Sequence, residues 1–474
     1  MNISVNSLKE FSSEFNNNKI YGISKNAITN TSLNKILLNS NYIQQKHNDI
    51  FEKKIPIELT ITDQENSGRC WIFAYLNVLR LKIVKRYNLP NDFEFSQTYL
   101  FFYDQLEKSN LFLKHIIDTR KKDLNSRIII HLLSQPISDG GQYNMLINLI
   151  NKYGLIPKTS MRETFQSNNT NKFSKILNNK LREHAKIIRE MSDSEFKNIN
   201  TYVKNVMSEI YRLCVIFLGE PPHRITWEYY TKKNRKSSKK GKHISKKRHK
   251  KRKKTQKGGS LKQYKINKNI TPIEFYKKYV KYDLNNVICL INNPIRPYYK
   301  LYNATFFNNM VDGVDTNYVN IPIDIMKTIT RKSLDSNEAV WFSCDVSKFS
   351  SSSQGILDQK AFNYKDTLGI DIMTNKKEQL NYFISEINHA MVFKGYTKDK
   401  DSKDTTIKKW LVENSWGSNS GLHGNLIMSD QWFDDYVFEI VVDKRFCPKN
   451  ITNILKSKAI LLDPWDPFGN LLIK

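Results

Sequence analysis

The pattern of apolar and polar positions separates a polar beginning from a periodic remainder. Residues 1–55 are polar and rich in Asn with short amphipathic pieces, which predicts an N-terminal arm. From residue 61 onward apolar residues recur, and four at helical spacing are Ile72, Leu76, Leu79 and Ile83. Pro90 stops this run, so the pattern predicts a helix that ends before Pro90 and has Cys70 in its first turn.

Further along the chain, helical periodicity gives way to short apolar runs. A second helix is predicted over 142–153, since Gly154 suits the position after a helix end. Residues 172–213 are charged and helical in character and are expected to lie outside the core. Four later runs read as strands, at 339–342, 390–393, 410–412 and 436–442. The change from helices to strands predicts an α+β enzyme with a helical lobe and a sheet lobe.

The net charge of +29 is concentrated in one segment. Residues 231–257 hold 16 Lys or Arg and no Asp or Glu. The segment 231–262 cannot bury enough apolar surface to fold, so it is predicted to be a disordered loop. Three roles stay open for it: a solvated loop, a nuclear-localisation signal, or a non-specific contact with nucleic-acid phosphates. The absence of interleaved aromatic residues argues against base stacking.

The rest of the composition is that of a globular protein, with 39% hydrophobic residues. No run approaches the roughly 20 apolar residues of a membrane helix, and no secretory signal is expected at the N-terminus. The five cysteines are far apart and form no C-x-x-C pair, which favours neither a zinc site nor a disulfide framework. We therefore expect a reducing compartment, the cytoplasm or the nucleus, and no metal or organic cofactor.

The segment before the first predicted helix has the residue types of a thiol nucleophile. A thiol at a helix N-terminus feels the positive end of the helix dipole, which lowers its pKa toward a thiolate. Gly68 relieves crowding beside Cys70, and the amide of Gln64 can join the Cys70 backbone N–H as a second donor to an oxyanion. A buried structural cysteine is the alternative, but it leaves Gln64 and Gly68 unexplained.

A proton carrier and a residue that can orient it occur far downstream. His389 stands at the start of a predicted strand, where a polar side chain can face a cleft. The side-chain oxygen of Asn414 can accept from one imidazole nitrogen, so that the other nitrogen faces the thiol. Trp416 can keep water from that hydrogen bond. Taken alone, His389 and Trp416 also fit core packing, so the hypothesis depends on their combination with Cys70.

The order Gln, Cys, His and Asn, with G-x-C-W and N-S-W-G, resembles papain-like cysteine peptidases. Cys70 and His389 are 319 residues apart, more than in papain itself, and S-G-R-C-W at 67–71 replaces C-G-S-C-W. These features resemble the bleomycin hydrolase and aminopeptidase C branch. Other blocks that resemble it are D-G-G-Q at 139–142, K-Y-G-L-I-P-K at 152–158, L-G-E-P-P at 218–222, T-P-I-E-F-Y at 271–276, A-V-W-F-S-C-D-V at 339–346 and W-D-P-F-G at 465–469.

The resemblance implies a papain-like two-lobe fold with large helical insertions, an N-terminal arm and a C-terminal tail in the active-site cleft. It implies four catalytic roles: Gln64 as oxyanion donor, Cys70 as nucleophile, His389 as base and then acid, and Asn414 as the orienting residue. Gly140 and Gly141 match a pair whose backbone runs beside the substrate; without the resemblance, an ordinary turn would explain them about equally well.

The resemblance also implies a homohexameric ring and an aminopeptidase. The terminal carboxylate of the family's tail pairs with the free ammonium of the peptide substrate in a charge-assisted hydrogen bond. In this sequence that end is Lys474, and the tail is about one residue longer than usual, so self-trimming of Lys474 is a hypothesis. The expected function is a cysteine aminopeptidase that cleaves short peptides and related amides through a thioester.

Together these observations predict five segments. They are an arm at 1–55, a helical lobe with the nucleophile at 56–160, a helical insertion with the basic loop at 161–335, a β lobe with His389 and Asn414 at 336–455, and a tail at 456–474. The alternative function is a nucleic-acid-associated protein on a peptidase fold that uses residues 231–257. The presence of all four catalytic residue types favours the enzyme.

Overall fold

A computed structural model of the protein describes residues 2–232, 262–373, 375–399 and 406–468. Most of the predicted basic loop, including its Lys- and Arg-rich centre, lies outside the described residues. The end of the predicted tail, with Lys474, also lies outside them.

The Cys70–Tyr87 helix runs through the middle of the protein. It ends at Asn88, whose left-handed backbone with a φ of 51° breaks the helical hydrogen bonding. Its side chains are buried on nearly every side, because it contacts the strand His389–Lys398 on one side and the helix Gln97–Asp118 on another. The predicted helix is confirmed, and Cys70 is its first residue.

Five further helices belong to the helical part of the protein: Gln97–Asp118, Arg127–Ser134, Tyr143–Tyr153, Asn171–Glu190 and Ile199–Leu218. The predicted helix over 142–153 is confirmed. The expectation that residues 172–213 lie outside the core is wrong, because their two helices pack on Gln97–Asp118. Apolar residues on one face of the first of them, such as Phe173, Leu177 and Leu181, are fully buried, while the charged residues occupy the opposite face.

Twelve strands of the described residues form one mixed sheet. Across the sheet, eleven of them follow the order Ile460–Leu462, Leu301–Ala304, Tyr318–Asn320, Val287–Ile291, Val437–Asp443, Val340–Cys344, His389–Lys398, Ile407–Glu413, Asn425–Ser429, Ile356–Leu357 and Ser350–Ser351. The twelfth, Lys53–Lys54, pairs with His389–Lys398. All four predicted strands lie in the centre of this sheet. Three further strands of the sheet lie between residues 287 and 320, before residue 336, where the β lobe was predicted to begin. The predicted α+β class is confirmed.

A two-stranded ribbon shortens the predicted disordered loop at both ends. Strands Ile225–Lys232 and Lys262–Ile270 are antiparallel, and Lys232 lies opposite Lys262. The ribbon is held to the protein by Trp227, which is 2% exposed. The aromatic residues of these strands favour β-structure, so the ribbon reaches Lys232 and Lys262, inside the segment that was predicted to be a loop from its charge.

The N-terminal arm consists of the helices Val5–Asn17, Lys19–Asn30, Leu33–Leu37 and Ser40–Lys46. The first two have no buried residue. Beyond them Leu37 is buried, and His47 Nε2 lies 3.0 Å from Asp358 Oδ2. The arm is therefore attached to the sheet at its later part and exposed at its beginning.

Other helices connect these elements: Phe165–Asn168, Asp193–Phe196, Pro272–Phe275, Ile323–Asp335, Tyr364–Leu368, Lys376–Asn381, Asp430–Tyr436 and Lys449–Asn453. Within the described ranges, no helix combines the length and the apolar character that crossing a membrane requires.

Candidate active site

Cys70 lies buried at the start of its helix, with 1% of the residue exposed. The side chain of the preceding Arg69 caps no amide of the first turn, so the positive helix end is directed at the thiol. Burial nevertheless raises the pKa of Cys70 to about 12, against backbone hydrogen bonds from Ala390, Trp71 and Cys70 itself that act to lower it. The expected lowering of this pKa by the helix is therefore outweighed by burial, and a thiolate requires a partner that takes the proton.

His389 is the first residue of the strand His389–Lys398 and is 3% exposed. Its Nε2 lies 2.8 Å from Asn414 Oδ1. The same oxygen accepts from the Ser415 backbone N–H at 2.8 Å, which identifies it as the acceptor. Because a carbonyl oxygen only accepts, Nε2 carries the imidazole proton and Nδ1 is left with a free lone pair.

Burial also sets the charge of this imidazole. It lowers the pKa of His389 to about 4, although the hydrogen bond with Asn414 acts to raise it. Trp416 covers the pair, with its ring centroid 4.8 Å from that of His389 and the two planes tilted by 33°. The imidazole is therefore neutral at neutral pH and shielded from water on the Trp416 side.

Gln64 lies on the loop that leads to Cys70 and is tied to the loop that follows Asn414. Its backbone N–H donates to Ser415 O at 2.9 Å, and the neighbouring Asp63 forms a bridge with Trp416. The side-chain Nε2 donates to Ser67 O at 2.7 Å. An amide nitrogen carries two hydrogens, so one hydrogen of Nε2 remains for another acceptor.

The four residues named from the sequence meet where the helix Cys70–Tyr87 packs on the strand that His389 begins. The backbone hydrogen bond from Ala390 to the Cys70 thiol places the thiol beside the residue that follows His389. Asn414 contacts His389 directly, and Gln64 reaches the same point through Ser415. Residues far apart in the chain thus form one compact group at the contact of helix and sheet.

Gly140 and Gly141 lie next to the loop before Cys70. The Trp71 Nε1 donates to Asp139 O at 2.9 Å, and the Cβ of a residue in place of Gly68 would lie 2.8 Å from Asp139 Cβ. Gly140 O accepts a hydrogen bond from Lys108 Nζ at 2.6 Å. The buried backbone of Gly141, in contrast, makes no hydrogen bond within the described residues. Buried backbone groups are nearly always paired, so the N–H and C=O of Gly141 are available to a further hydrogen-bond partner.

Close packing on Trp71 gives Gly141 a second constraint. A Cβ added there would lie 2.7 Å from two indole carbons of Trp71, whose Nε1 is fixed on Asp139 O. We expect Gly141→Ala to lower the free energy of unfolding by about 1–3 kcal/mol in urea titrations. Gly22→Ala is the matched control, since nothing lies within 4 Å of its added Cβ in an exposed helix. Equal unfolding midpoints for the two variants would contradict the packing.

One buried carboxylate near His389 was not identified from the sequence. Asp345 accepts from Ser385 Oγ at 2.8 Å and from Asn388 Nδ2 at 2.6 Å. It therefore fixes the segment that enters the strand of His389. Asp345 directly follows the strand Val340–Cys344, beyond the predicted strand 339–342, and Ser385 and Asn388 lie about 40 residues away in the sequence.

The tail can be followed to Phe468, and Lys474 lies outside the described residues. Trp465 stacks under the Arg127 guanidinium at 4.2 Å, and the buried Phe468 packs on Phe438. In the part of the chain that the structure describes, no group of three or more His, Cys, Asp and Glu side chains is arranged to hold a metal ion.

Comparison with known proteins agrees with this geometry. A family model for the Peptidase C1-like family matches residues 2–254 and 259–469. Bleomycin hydrolase of Homo sapiens is 38% identical over 469 residues, which cover 97% of this chain and 96% of the relative. Aminopeptidase C of Listeria monocytogenes is 36% identical over 415 residues, which cover 87% of this chain and 86% of the relative.

A solved structure extends the similarity to three dimensions. The crystal structure of PepW from Lactobacillus rhamnosis HN001 (DR20) matches with a TM-score of 0.87 and 32% identity and covers 98% of both chains. The papain-like fold and the resemblance predicted from the sequence are confirmed, and these relatives support a cysteine aminopeptidase. The chain belongs to the Peptidase C1-like family, alongside the bleomycin hydrolases and aminopeptidases C.

Proposed function

We propose that this chain is a cysteine aminopeptidase that releases N-terminal residues from short peptides and related amides, with Cys70 as its nucleophile. The observation that carries the proposal is the hydrogen bond from His389 Nε2 to Asn414 Oδ1. It leaves Nδ1 as a base at the place where the Cys70 thiol meets the strand of His389.

In the acylation step, the Cys70 sulfur attacks the scissile carbonyl carbon while its proton moves to His389 Nδ1. The carbonyl oxygen becomes an oxyanion, for which the Cys70 backbone N–H and the free hydrogen of Gln64 Nε2 are the proposed donors. The carbon–nitrogen bond then breaks, and His389 gives its proton to the leaving amine. The product of this half-reaction is a thioester on Cys70.

In the deacylation step, water attacks the thioester carbonyl carbon and gives a proton to His389 Nδ1. The carbon–sulfur bond breaks, His389 returns the proton to the sulfur, and a carboxylic acid leaves. Asn414 holds the same imidazole nitrogen throughout, so Nδ1 can serve as base and acid in turn. The pairing also compensates for burial, since a thiolate and an imidazolium side by side stabilise each other.

Selection for a free N-terminus is proposed to come from the tail. By resemblance to the family, a terminal carboxylate near Lys474 would pair with the substrate ammonium, and Gly140 and Gly141 would line the same cleft. The unpaired backbone of Gly141 supports a peptide binding at this edge. If Lys474 is trimmed by the enzyme itself, mass spectrometry would show a shorter wild type and a full-length Cys70→Ser variant, whereas equal masses would contradict trimming.

Alkylation tests the assignment of the nucleophile among the five cysteines. The reduced full-length protein would be treated with iodoacetamide while hydrolysis of a fluorogenic aminoacyl amide is followed. We expect activity to fall in proportion to carboxamidomethylation of Cys70, located by peptide mapping. Activity that persists after Cys70 is modified would overturn the proposal.

The lowered pKa of His389 predicts a specific pH dependence of kcat/KM. Because burial lowers this pKa from 6.5 to about 4, the imidazole stays neutral and able to accept the thiol proton until the pH approaches about 4. We expect kcat/KM to fall only as the pH drops through this region, with circular dichroism confirming that the protein is folded at each point. An acid limb near the ordinary value of 6.5 would show that His389 is not the buried base.

Assembly into a homohexamer is proposed from the resemblance and from the arm. Large apolar side chains of its first two helices are exposed, namely Leu8, Phe11, Ile20 and Ile23. Exposed apolar patches of this kind are typical of protein–protein contacts. Light scattering should give the mass of six chains, and a monomer mass would contradict the proposal.

A contact between the basic segment 231–257 and nucleic acid remains a second proposal, supported by its 16 Lys and Arg residues. Deletion of this segment should abolish salt-sensitive DNA binding without changing peptide hydrolysis, and unchanged DNA affinity would contradict it. A cytoplasmic location, with a nuclear share directed by this segment, is proposed on the same basis.

A further inference from the structure

A buried lysine binds the backbone of the glycine segment 138–141. The Lys108 side chain is 6% exposed and belongs to the helix Gln97–Asp118. Its Nζ donates to Gly140 O at 2.6 Å and to Ser138 O at 2.9 Å. Both acceptors are backbone carbonyls of the segment that carries the proposed peptide-binding position Gly141.

The charge of this lysine is balanced by one carboxylate. Asp104, one turn earlier and fully buried, lies with its Oδ2 at 2.6 Å from Lys108 Nζ. Its other oxygen accepts from Asn309 Nδ2 at 3.0 Å. All three hydrogens of the ammonium are therefore used, one on the carboxylate and two on the segment. A buried ion pair stabilises a protein little more than apolar packing does. Stability alone therefore does not explain why Lys108 and Asp104 are buried here.

That geometry makes the segment rigid. Between the two carbonyls that Lys108 binds, Asp139 O accepts from Trp71 Nε1 at 2.9 Å. Three successive carbonyls are thus held by fixed donors, and one of these donors belongs to the residue that follows Cys70. The Lys108 ammonium also lies 5.4 Å from the Trp71 ring centroid, within cation–π range. The next residue, Gly141, is left with its backbone unpaired.

We propose that Lys108 is a positioning residue: it fixes the 138–141 backbone so that the Gly141 N–H and C=O are presented to the peptide in the cleft. This inference rests on the proposed function. Removing Lys108 should loosen the peptide-binding edge while leaving the reactivity of Cys70 nearly unchanged, because no hydrogen bond joins Lys108 to Cys70, His389 or Asn414 among the described residues.

The test compares Lys108→Met with Lys108→Arg and with the double variant Asp104→Asn/Lys108→Met, which leaves no buried carboxylate unpaired. Lys114→Met is the matched control, because Lys114 forms a similar pair with Asp118, four residues away in the same helix, but is exposed. The cavity of about 360 Å³ that Lys108 lines gives room for the larger guanidinium of the arginine variant. Two quantities are measured: KM for a free-amine peptide amide, and the rate constant for alkylation of Cys70 by iodoacetamide.

We expect Lys108→Met and the double variant to raise KM by roughly tenfold to a hundredfold, with alkylation changed by less than about threefold. Lys108→Arg should restore KM most of the way, and Lys114→Met should match the wild type. An unchanged KM in a folded double variant would overturn the inference alone. So would a rise in KM matched by an equal fall in the rate constant for alkylation of Cys70, which would indicate general loosening of the site. A wild type that hydrolyses no amide would overturn the proposed function and this inference with it.

Discussion

Replacing Cys70 with alanine is expected to reduce kcat for hydrolysis of aminoacyl amides by roughly 10⁴-fold or more. The thioester cannot form without the sulfur of Cys70, which stands at a helix start. The other thiol beside His389, that of Cys344, belongs to a strand and lacks that helix N-terminus. The side chain is small and the substitution removes one buried atom, so the fold should be retained. Initial rates on a fluorogenic amide, with circular dichroism on the same samples, measure the effect.

Cys214→Ala is the matched control for this loss. Cys214 is also fully buried in a helix, and burial also raises the pKa of its thiol to about 12. It differs from Cys70 in lying in the helix Ile199–Leu218, away from His389. We expect its activity to match the wild type. A Cys70→Ala variant that keeps comparable activity would contradict the thiol mechanism, whatever the behaviour of Cys214→Ala.

The second large effect concerns Arg69, which precedes the nucleophile and is 0% exposed. Its Nη1 lies 2.8 Å from Glu163 Oε2, and its guanidinium is stacked 5.1 Å from the centroid of Phe73 and 5.5 Å from that of Phe101. Its Nε donates to Ser67 Oγ at 2.9 Å, on the loop before Cys70. Arg69→Met should lower the free energy of unfolding by about 3–5 kcal/mol, because it leaves the largely buried carboxylate of Glu163 without its cation.

Two controls separate this ion pair from general damage. The double variant Arg69→Met/Glu163→Gln removes both charges and should recover much of the stability. Lys54→Met breaks an exposed pair with Glu58 and should cost less than about 1 kcal/mol. Urea unfolding of the four proteins gives the comparison. If the double variant is no more stable than Arg69→Met, the loss does not come from an unpaired carboxylate.

The pH dependence of this effect has a defined sign. Burial acts to raise the pKa of Glu163, but Arg69, Ser167 and Thr98 together hold it below the ordinary 4.5. A carboxyl group with a lowered pKa stabilises the fold above its ordinary pKa and loses that contribution as the pH falls through the lowered value. The stability difference between wild type and Arg69→Met should therefore shrink below about pH 4.5.

Local patterns were sufficient to predict the main helix and to name the residues that we propose as the catalytic group. The helix Cys70–Tyr87 follows from apolar spacing and the proline after it, and the central strands follow from short β-branched and aromatic runs. Cys70, His389 and Asn414 could be named because their chemistry is needed in combination. These are properties of short segments, which a sequence displays directly.

Contacts between distant segments were not predictable in the same way. Lys108 bonds Gly140 across 32 residues, and Arg69 bonds Glu163 across 94, so their charges resemble ordinary solvated residues in the sequence. The same limit explains the error over residues 172–213, where frequent charges masked one buried face. It also explains why the expected lowering of the Cys70 pKa was not found. The effect of the helix dipole is local, whereas the burial that raises this pKa depends on packing against distant segments.

The most direct test of the proposed cysteine aminopeptidase compares one fluorogenic aminoacyl amide with its N-acetylated form, using the wild-type chain under reducing conditions. We expect efficient hydrolysis of the free-amine substrate and complete loss of activity on alkylation of Cys70. Rates on the acetylated form should be at least about 100-fold lower, because the charge-assisted contact with the ammonium is lost. Equal hydrolysis of the two substrates, or faster hydrolysis of the acetylated one, would contradict the aminopeptidase assignment.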